Sequence, residues 1–317
     1  MALSAPPISA AEYEAATAGC AVFDRSERGK LALTGAQAKE FLHGQVSNDI
    51  EALTAGHGCY AALLTPKGKM VGDLRVLDTG TELLLDTERS ALQELFNTIR
   101  RFRIGFDVEL HKRTLERGLL SLLGPGADAL ANLRLGPEEH AHAPARIDRF
   151  EVRAIRTDLG IDLLCAAEET AGLAAELARR GASVTSEAVA ETVRIESGRP
   201  RYGVELDDSV IPQEAGLNER AVSFTKGCYV GQETVARLFY RGKPNRLLRG
   251  LVCAEPVAAG DVLRLGEREV GSVGSSTVSP RRGPLALALV RREAPPGSEL
   301  VVGQAAVRAT VAELPFA

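Results

Sequence analysis

The chain contains no tryptophan, and its five tyrosines and nine phenylalanines make aromatic residues only 4% of 317. Any ring-stacking pocket must therefore use Phe, Tyr or aliphatic faces. Cysteine is also thin: Cys20, Cys59, Cys165, Cys228 and Cys253 are odd in number and widely scattered. No CxxC pair or Cys/His spacing suited to zinc occurs, and His140 with His142 is a poor metal geometry, so no metal is expected. The pattern fits a reducing, cytoplasmic setting without disulfides. No stretch approaches the about 20 uninterrupted apolar residues of a membrane span. The opening MALSAPPISAAEYE lacks the basic-then-apolar order of a signal peptide. A net charge of −4 offers no basic surplus to draw nucleic acid. Neither GxGxxG nor GxxxxGK[ST] is present to cradle phosphate.

What is present describes a globular chain long enough for two or three domains, 45% hydrophobic and 25% charged. Ser9 with Glu12 has capping-box spacing and predicts a short helix ending near Gly19. A strand over 30–33 and a helix over 36–43 follow. Alternating runs at 59–64 and 70–77 flank Thr65-Pro-Lys-Gly68, a hairpin signature, and a strand follows at 82–85. Thr87 is expected to cap a helix over 88–101, where Leu92, Leu95, Phe96 and Ile99 recur at helical spacing, before a strand over 103–110. This is the order of a ferredoxin-like α+β unit. The same grammar recurs with strands at 118–123, 150–156 and 161–165, a short helix at 127–133, a loop at 137–144, and helices at 171–180 and 187–196. After Gly242-Lys-Pro244 helical runs vanish, and short strands at 246–253, 262–265, 269–275, 285–290 and 305–314 predict a small β-barrel. The expected fold class is α+β: an N-terminal lobe over 1–115, a second lobe over 116–242 and a barrel over 243–317.

The stretch with most chemistry is FTKGCYVGQETVAR, residues 224–237. Lys226-Gly227 predicts a turn with positive φ at the glycine. A helix is expected from about Gln232, with Val235, Leu238 and Phe239 on one side. Cys228 lies beside a lysine and near a helix start, both of which favour a thiolate. Two readings stand: a reactive thiol, or a small apolar side chain packing a turn.

Lys226 to Glu233, KGCYVGQE, resembles the signature of the YgfZ family of folate-binding proteins, relatives of the T-protein (aminomethyltransferase) of the glycine cleavage system. Arg194-Ile-Glu196-Ser-Gly198, Arg201-Tyr-Gly203 and Ile211-Pro-Gln-Glu-Ala-Gly216 are similar to the segment preceding that signature across the GcvT superfamily. Gly29 to Gly35 and Phe41 to Asp49 resemble its opening, whereas about 115–185 matches loosely. The resemblance implies a GcvT-like fold, with two interwoven ferredoxin-like lobes and a C-terminal barrel around a central cleft holding tetrahydrofolate. It also implies an accessory role in iron–sulfur cluster assembly or repair, felt indirectly in tRNA modification, with client or assembly proteins as partners. The competing function is that of a tetrahydrofolate-dependent aminomethyltransferase.

The resemblance nominates Glu196 and Asp73 as site residues, and the residue chemistry of the signature and its neighbours nominates the rest. Glu196, at the Arg-x-Glu position, would accept the N3–H and 2-amino pair of a pterin ring. T-proteins carry adjacent aspartates where this chain has Gly72-Asp73, so Asp73 would orient or deprotonate an amine near N5 and N10 of the folate. Lys226 would activate Cys228, Arg237 with Arg241 would draw the anionic glutamate tail, Tyr202 and Tyr229 would stack, and Gln232 would bond the pterin. Plainer readings remain beside these. Glu196 is equally a surface acid paired to Arg194 or Arg199, Asp73 a solvated residue at a strand edge, and the arginine run a solvated helix face.

Overall fold

Along the strand Met70–Asp78 alternate side chains have different destinations. Leu74 and Val76 join Leu31, Leu33, Leu83 and Leu85 beneath Phe41, Leu42, Leu95 and Ile99 of two helices, Ala38–Gln45 and Leu92–Phe102. Asp73, Arg75 and Leu77 point to the opposite face, as the period of two requires. That opposite face is not solvated. It meets a second sheet through Ala32, Leu77, Leu84 and Ile155. Residues 8–316 are described by this computed structural model, which has four layers of helix, sheet, sheet and helix, with a barrel docked at one side.

The first sheet is antiparallel throughout, in the order Gly58–Leu64, Met70–Asp78, Leu83–Thr87, Gly29–Thr34, Glu109–Lys112. The second has six strands, ordered Ser183–Val184, Ala21–Asp24, Arg117–Leu123, Gly160–Ala166, Phe150–Thr157, His142–Ile147, with only its first pair parallel. Its outer face packs Leu120, Leu122, Ile161 and Leu163 against Leu173 and Leu177 of the helix Thr170–Arg179. The barrel closes through Arg246–Cys253, Gly283–Arg291, Arg268–Ser279, Val262–Leu265, Glu299–Val302 and Val307–Ala312. It seats Leu248, Leu285, Leu287 and Phe316 on Ile195 of the helix Glu187–Glu196.

The first two lobes are interwoven, with segments crossing the sequence boundary at 115 in both directions, whereas every barrel strand lies after 242. Ala21–Asp24 belongs to the second sheet, and the helix Ala10–Ala18, capped by Ser9 as expected, packs Tyr13 and Ala16 on Val189 and Val193. In return, residues 202–235 lie on the first lobe's hairpin, where Leu206, Val210, Tyr229 and Val235 cover Ala62, Leu64 and Met70. Other local expectations shift. Thr87 does not cap a helix; it ends a strand, and its hydroxyl donates to the Asp73 carbonyl at 2.5 Å, while the helix begins at Leu92. The strand expected over 103–110 is Glu109–Lys112, and the expected loop at 137–144 gives way to the edge strand His142–Ile147. Positive φ falls at Gly231 (87°), not at Gly227.

Between the sheets lies an ion network. Arg75 donates to Asp86 and to Asp162, each at 2.7 Å, and so joins one sheet to the other. Arg28 adds a 2.8 Å bond to Asp86 and a contact to Glu88, and Ser121 donates to Asp162 at 2.6 Å. Burial alone would raise the Asp86 carboxyl, but Arg28 and Arg75 together hold it at about 2. Because that lies below its ordinary 3.8, the stabilisation is complete above the unfolded-state value and lost as pH falls toward about 2. Asp86→Asn, which leaves two buried guanidinium groups short of a counter-charge, is expected to cost about 3–5 kcal/mol at pH 7. It should also flatten the fall in stability between pH 4 and pH 2, read by urea unfolding across that range.

Candidate functional site

The charged face between the sheets encloses a cavity of about 190 Å³. Tyr60, Asp73, Arg75 and Asp86 reach it from the first sheet, and Ser121 and Asp162 from the second. Arg25, Arg28, Glu88, Glu139, His140, Arg194, Arg201 and Arg220 close it from connecting segments and the helix Glu187–Glu196. Five buried polar atoms of this lining lack a hydrogen-bond partner: Asp73 Oδ1, His140 Nδ1, and the Nε atoms of Arg25, Arg75 and Arg220. A buried polar atom left unpaired costs about 1–3 kcal/mol, so their convergence marks a hollow built to be filled by something polar.

Asp73 is the one resemblance-derived residue at this cavity. The Tyr60 hydroxyl donates to its Oδ2, and Arg220 stands 5.3 Å from the centre of the Tyr60 ring. Burial pushes the Asp73 carboxyl above its ordinary range, against the pull of Tyr60 and Arg28. Burial and the neighbouring Asp73 likewise raise the Tyr60 phenol well above its usual value, so Tyr60 keeps its proton. Gly72, where T-proteins carry the other aspartate of the pair, faces away. A Cβ there would lie 3.0 Å from Ala91 Cβ and 3.1 Å from Leu95. The acid missing from the pair is therefore missing from the helix side of the sheet, not from the cavity.

Glu196 is not part of the cavity lining. It ends its helix turned the other way, its two oxygens sharing the single Tyr13 hydroxyl proton (2.8 and 2.9 Å) while it also accepts from the Ser279 hydroxyl. Arg194, two residues earlier and so on another side of the helix, is the one that faces the cavity. Glu196 thus ties the first helix to a barrel strand. Neither Arg194 nor Arg199 is its partner: Arg194 pairs with Glu191 and Glu205, and Arg199 with Asp158.

The signature residues divide. Lys226 is buried, and its ammonium donates to the carbonyls of His43, Val46 (2.8 Å) and Asn48 (3.0 Å), 5.0 Å from the Tyr229 ring centre. Burial lowers it to about 8, while Asp49, Cys59 and Glu51 pull the other way. Its ammonium is thus engaged as a clasp on the first lobe, with its donors directed to backbone carbonyls rather than to Cys228. A Cβ at Gly231 would meet the Thr65 carbonyl at 2.6 Å and Gly68 Cα at 3.2 Å, so the glycine permits the signature to seat on the hairpin turn. Gln213 holds the helix Gln232–Arg241 by donating to the Val235 carbonyl at 2.6 Å. Cys228 itself is exposed, which rules out the buried packing role. Tyr202, Gln232 and Arg237 lie outside the cavity lining, and Arg237 pairs on the surface with Glu233 at 2.7 Å.

Tyr60, Arg28, Arg75, Glu88, His140 and Arg220 were not singled out from sequence. One signal was available: Asp73 and Arg75 are charges two apart in one otherwise apolar strand, and Asp86 with Glu88 spans the end of another, the mark of a buried polar face. Among the described residues no group of His, Cys, Asp and Glu is arranged to hold a metal, and no helix is long and apolar enough to cross a membrane.

Lys226→Met strips three carbonyls of their donor and is expected to destabilise the fold by about 2–4 kcal/mol, read by urea unfolding. The Cys228 rate with a small thiol reagent should change less than about twofold, where activation by Lys226 would slow it roughly tenfold or more.

Comparison with known proteins agrees with this architecture. Residues 4–226 match the GCVT N-terminal domain, and residues 245–315 match the CAF17 C-terminal beta-barrel domain. An aminomethyltransferase of Rubrobacter xylanophilus is 30% identical over 323 aligned positions, covering 96% of this chain and 85% of the relative. A chloroplastic protein of Arabidopsis thaliana, whose name assigns it only provisionally to the transferases, is 27% identical and covers 94% and 71%. Among solved structures, aminomethyltransferase T of the glycine cleavage system from Bartonella henselae superposes with a TM-score of 0.87 at 24% identity, covering 97% of this chain and 89% of that one. The chain therefore belongs to the GcvT superfamily, with a C-terminal barrel of the CAF17/YgfZ-like kind.

Proposed function

We propose that this protein binds tetrahydrofolate with its ring in the inter-sheet cavity and serves iron–sulfur cluster assembly or repair, as YgfZ-type proteins do. The observation that carries the folate part is the set of unpaired polar atoms around one hollow, with Asp73 Oδ1 among them. The volume, about 190 Å³, is below the about 300–1,000 Å³ of pockets that enclose a whole drug-sized ligand. It fits the bicyclic ring and leaves the glutamate tail outside. Asp73 would hold or accept a proton at Oδ1, Tyr60 would fix its other oxygen, and the arginines would face the ring's acceptors. When bound, the folate supplies a one-carbon carrier at N5 and N10.

Support for the iron–sulfur part comes from the barrel and from the exposed Cys228, a soft thiol set on the outer surface of the signature. Downstream effects on tRNA modification belong to the same reading. A second reading, tetrahydrofolate-dependent aminomethyl transfer, is favoured by one observation: the acid of the T-protein pair that reaches the cavity is the one retained.

Two measurements test this. Asp73→Asn is expected to weaken tetrahydrofolate binding by about 2–4 kcal/mol, thirtyfold or more, in a calorimetric titration. Its Tm should stay level or rise, because a carboxyl whose folded-state value is raised opposes folding once pH exceeds its unfolded value. Equal affinity in the variant would remove Asp73 from the site. Cys228→Ser should keep folate affinity but abolish rescue of cluster-dependent enzyme activity in cells lacking the protein; full rescue would contradict a role for the thiol.

A further inference from the structure

His140 is the least explained side chain of the cavity wall. It holds a left-handed backbone (φ 70°), a conformation costly for a residue with a Cβ. The surrounding chain keeps it there. The His140 amide donates to the Arg156 carbonyl at 2.9 Å, Arg156 returns a 2.8 Å bond to Ala141, and the His142 amide donates to Gly56 at 2.7 Å. Space is also reserved for it: a Cβ at Gly58 would lie 3.1 Å from His140 Cβ and 2.5 Å from the Val76 carbonyl. With 8% of its surface exposed, the ring leaves Nδ1 buried in the cavity wall without a partner. Strain and an orphaned polar atom at one residue are the combination that function retains and stability alone does not.

The state of the ring follows from its neighbours. Burial, with Arg75 and Arg220 close by, lowers His140 to about 3, so the imidazole is neutral at physiological pH. Glu139 Oε1 stands 3.6 Å from Nε2, beyond hydrogen-bond reach, but its negative charge on that side and the arginines Arg75 and Arg220 nearby favour the tautomer with the proton on Nε2. Nδ1 is left with a lone pair, an acceptor. The cavity then offers two unmet acceptors, Asp73 Oδ1 and His140 Nδ1, and three unmet donors on arginine Nε atoms.

Resting on the folate reading, we propose that His140 Nδ1 accepts a ring N–H of the bound pterin. It takes the acceptor role that Glu196, turned to Tyr13 and Ser279, does not fill. His140 is a ligand-contacting residue and Asp73 the second acceptor. A neutral nitrogen in place of a carboxylate lets the ring enter beside Asp73 without a second buried negative charge.

The test is a tetrahydrofolate titration of wild type beside His140→Asn, which tolerates left-handed backbone, and His140→Ala, with Tm recorded for each. Both variants should bind at least tenfold more weakly, and the Asn variant should keep its Tm. In ring-¹⁵N-labelled protein, the His140 Nδ1 resonance should show a neutral Nε2–H tautomer from pH 5 to 8 and shift when tetrahydrofolate is added. Unchanged affinity with lowered Tm would make the histidine structural and overturn the inference alone. A wild-type protein that does not bind tetrahydrofolate would overturn both this inference and the folate reading.

Discussion

Arg75, bonded at once to Asp86 of its own sheet and Asp162 of the other, is the interaction on which the arrangement depends. Two sheets facing each other ordinarily bury apolar side chains, and here they do so over one patch formed by Ala32, Leu77, Leu84, Leu119, Ile155 and Leu164. The rest of the interface is ionic. Taking such charges out of water costs several kcal/mol per ion, and only near-complete pairing offsets it. The two outer cores make that tolerable, since each fully buried Leu or Phe contributes about 1.5–3 kcal/mol. A polar seam between apolar slabs therefore persists, and where its pairing is incomplete it opens into the cavity.

The same economy explains the signature. Most of its named residues hold the second half of the chain on the first lobe: Lys226 through three carbonyls, Gly231 through its fit to the hairpin turn, Tyr229 by burial. Cys228 faces outward. The cavity and the thiol are thus separate: Cys228 is exposed and is not among the residues lining the cavity between the sheets. Any coupling between them must run through the segment 202–235, which packs beneath Cys228 and on the hairpin that carries Tyr60 and Asp73.

Much of the fold was legible because period-two and helical spacings survive in the chain: the hairpin around Thr65 to Gly68, the Ser9-capped helix and the barrel after Pro244 all appear where the residues place them. The strands at Ala21–Asp24 and Glu299–Val302 were not expected from sequence. Of the residues named from sequence, Asp73 lies in the cavity lining, whereas Glu196 and Lys226 lie outside it. A motif fixes which residue stands at a position but not which way the helix or turn aims it. At Glu196 the direction is set by Tyr13 and Ser279, which lie 183 and 83 residues away in sequence. The left-handed backbone and unpaired Nδ1 of His140 carried no sequence signal.

A crystal structure of the protein with tetrahydrofolate bound is the most direct measurement. The account predicts ring density between the two sheets, in contact with Asp73, with Arg75 still bridging Asp86 and Asp162 and the Cys228 thiol outside the ring's reach. Density for the ring beside Glu196, or against Cys228 on the outer surface, would contradict it.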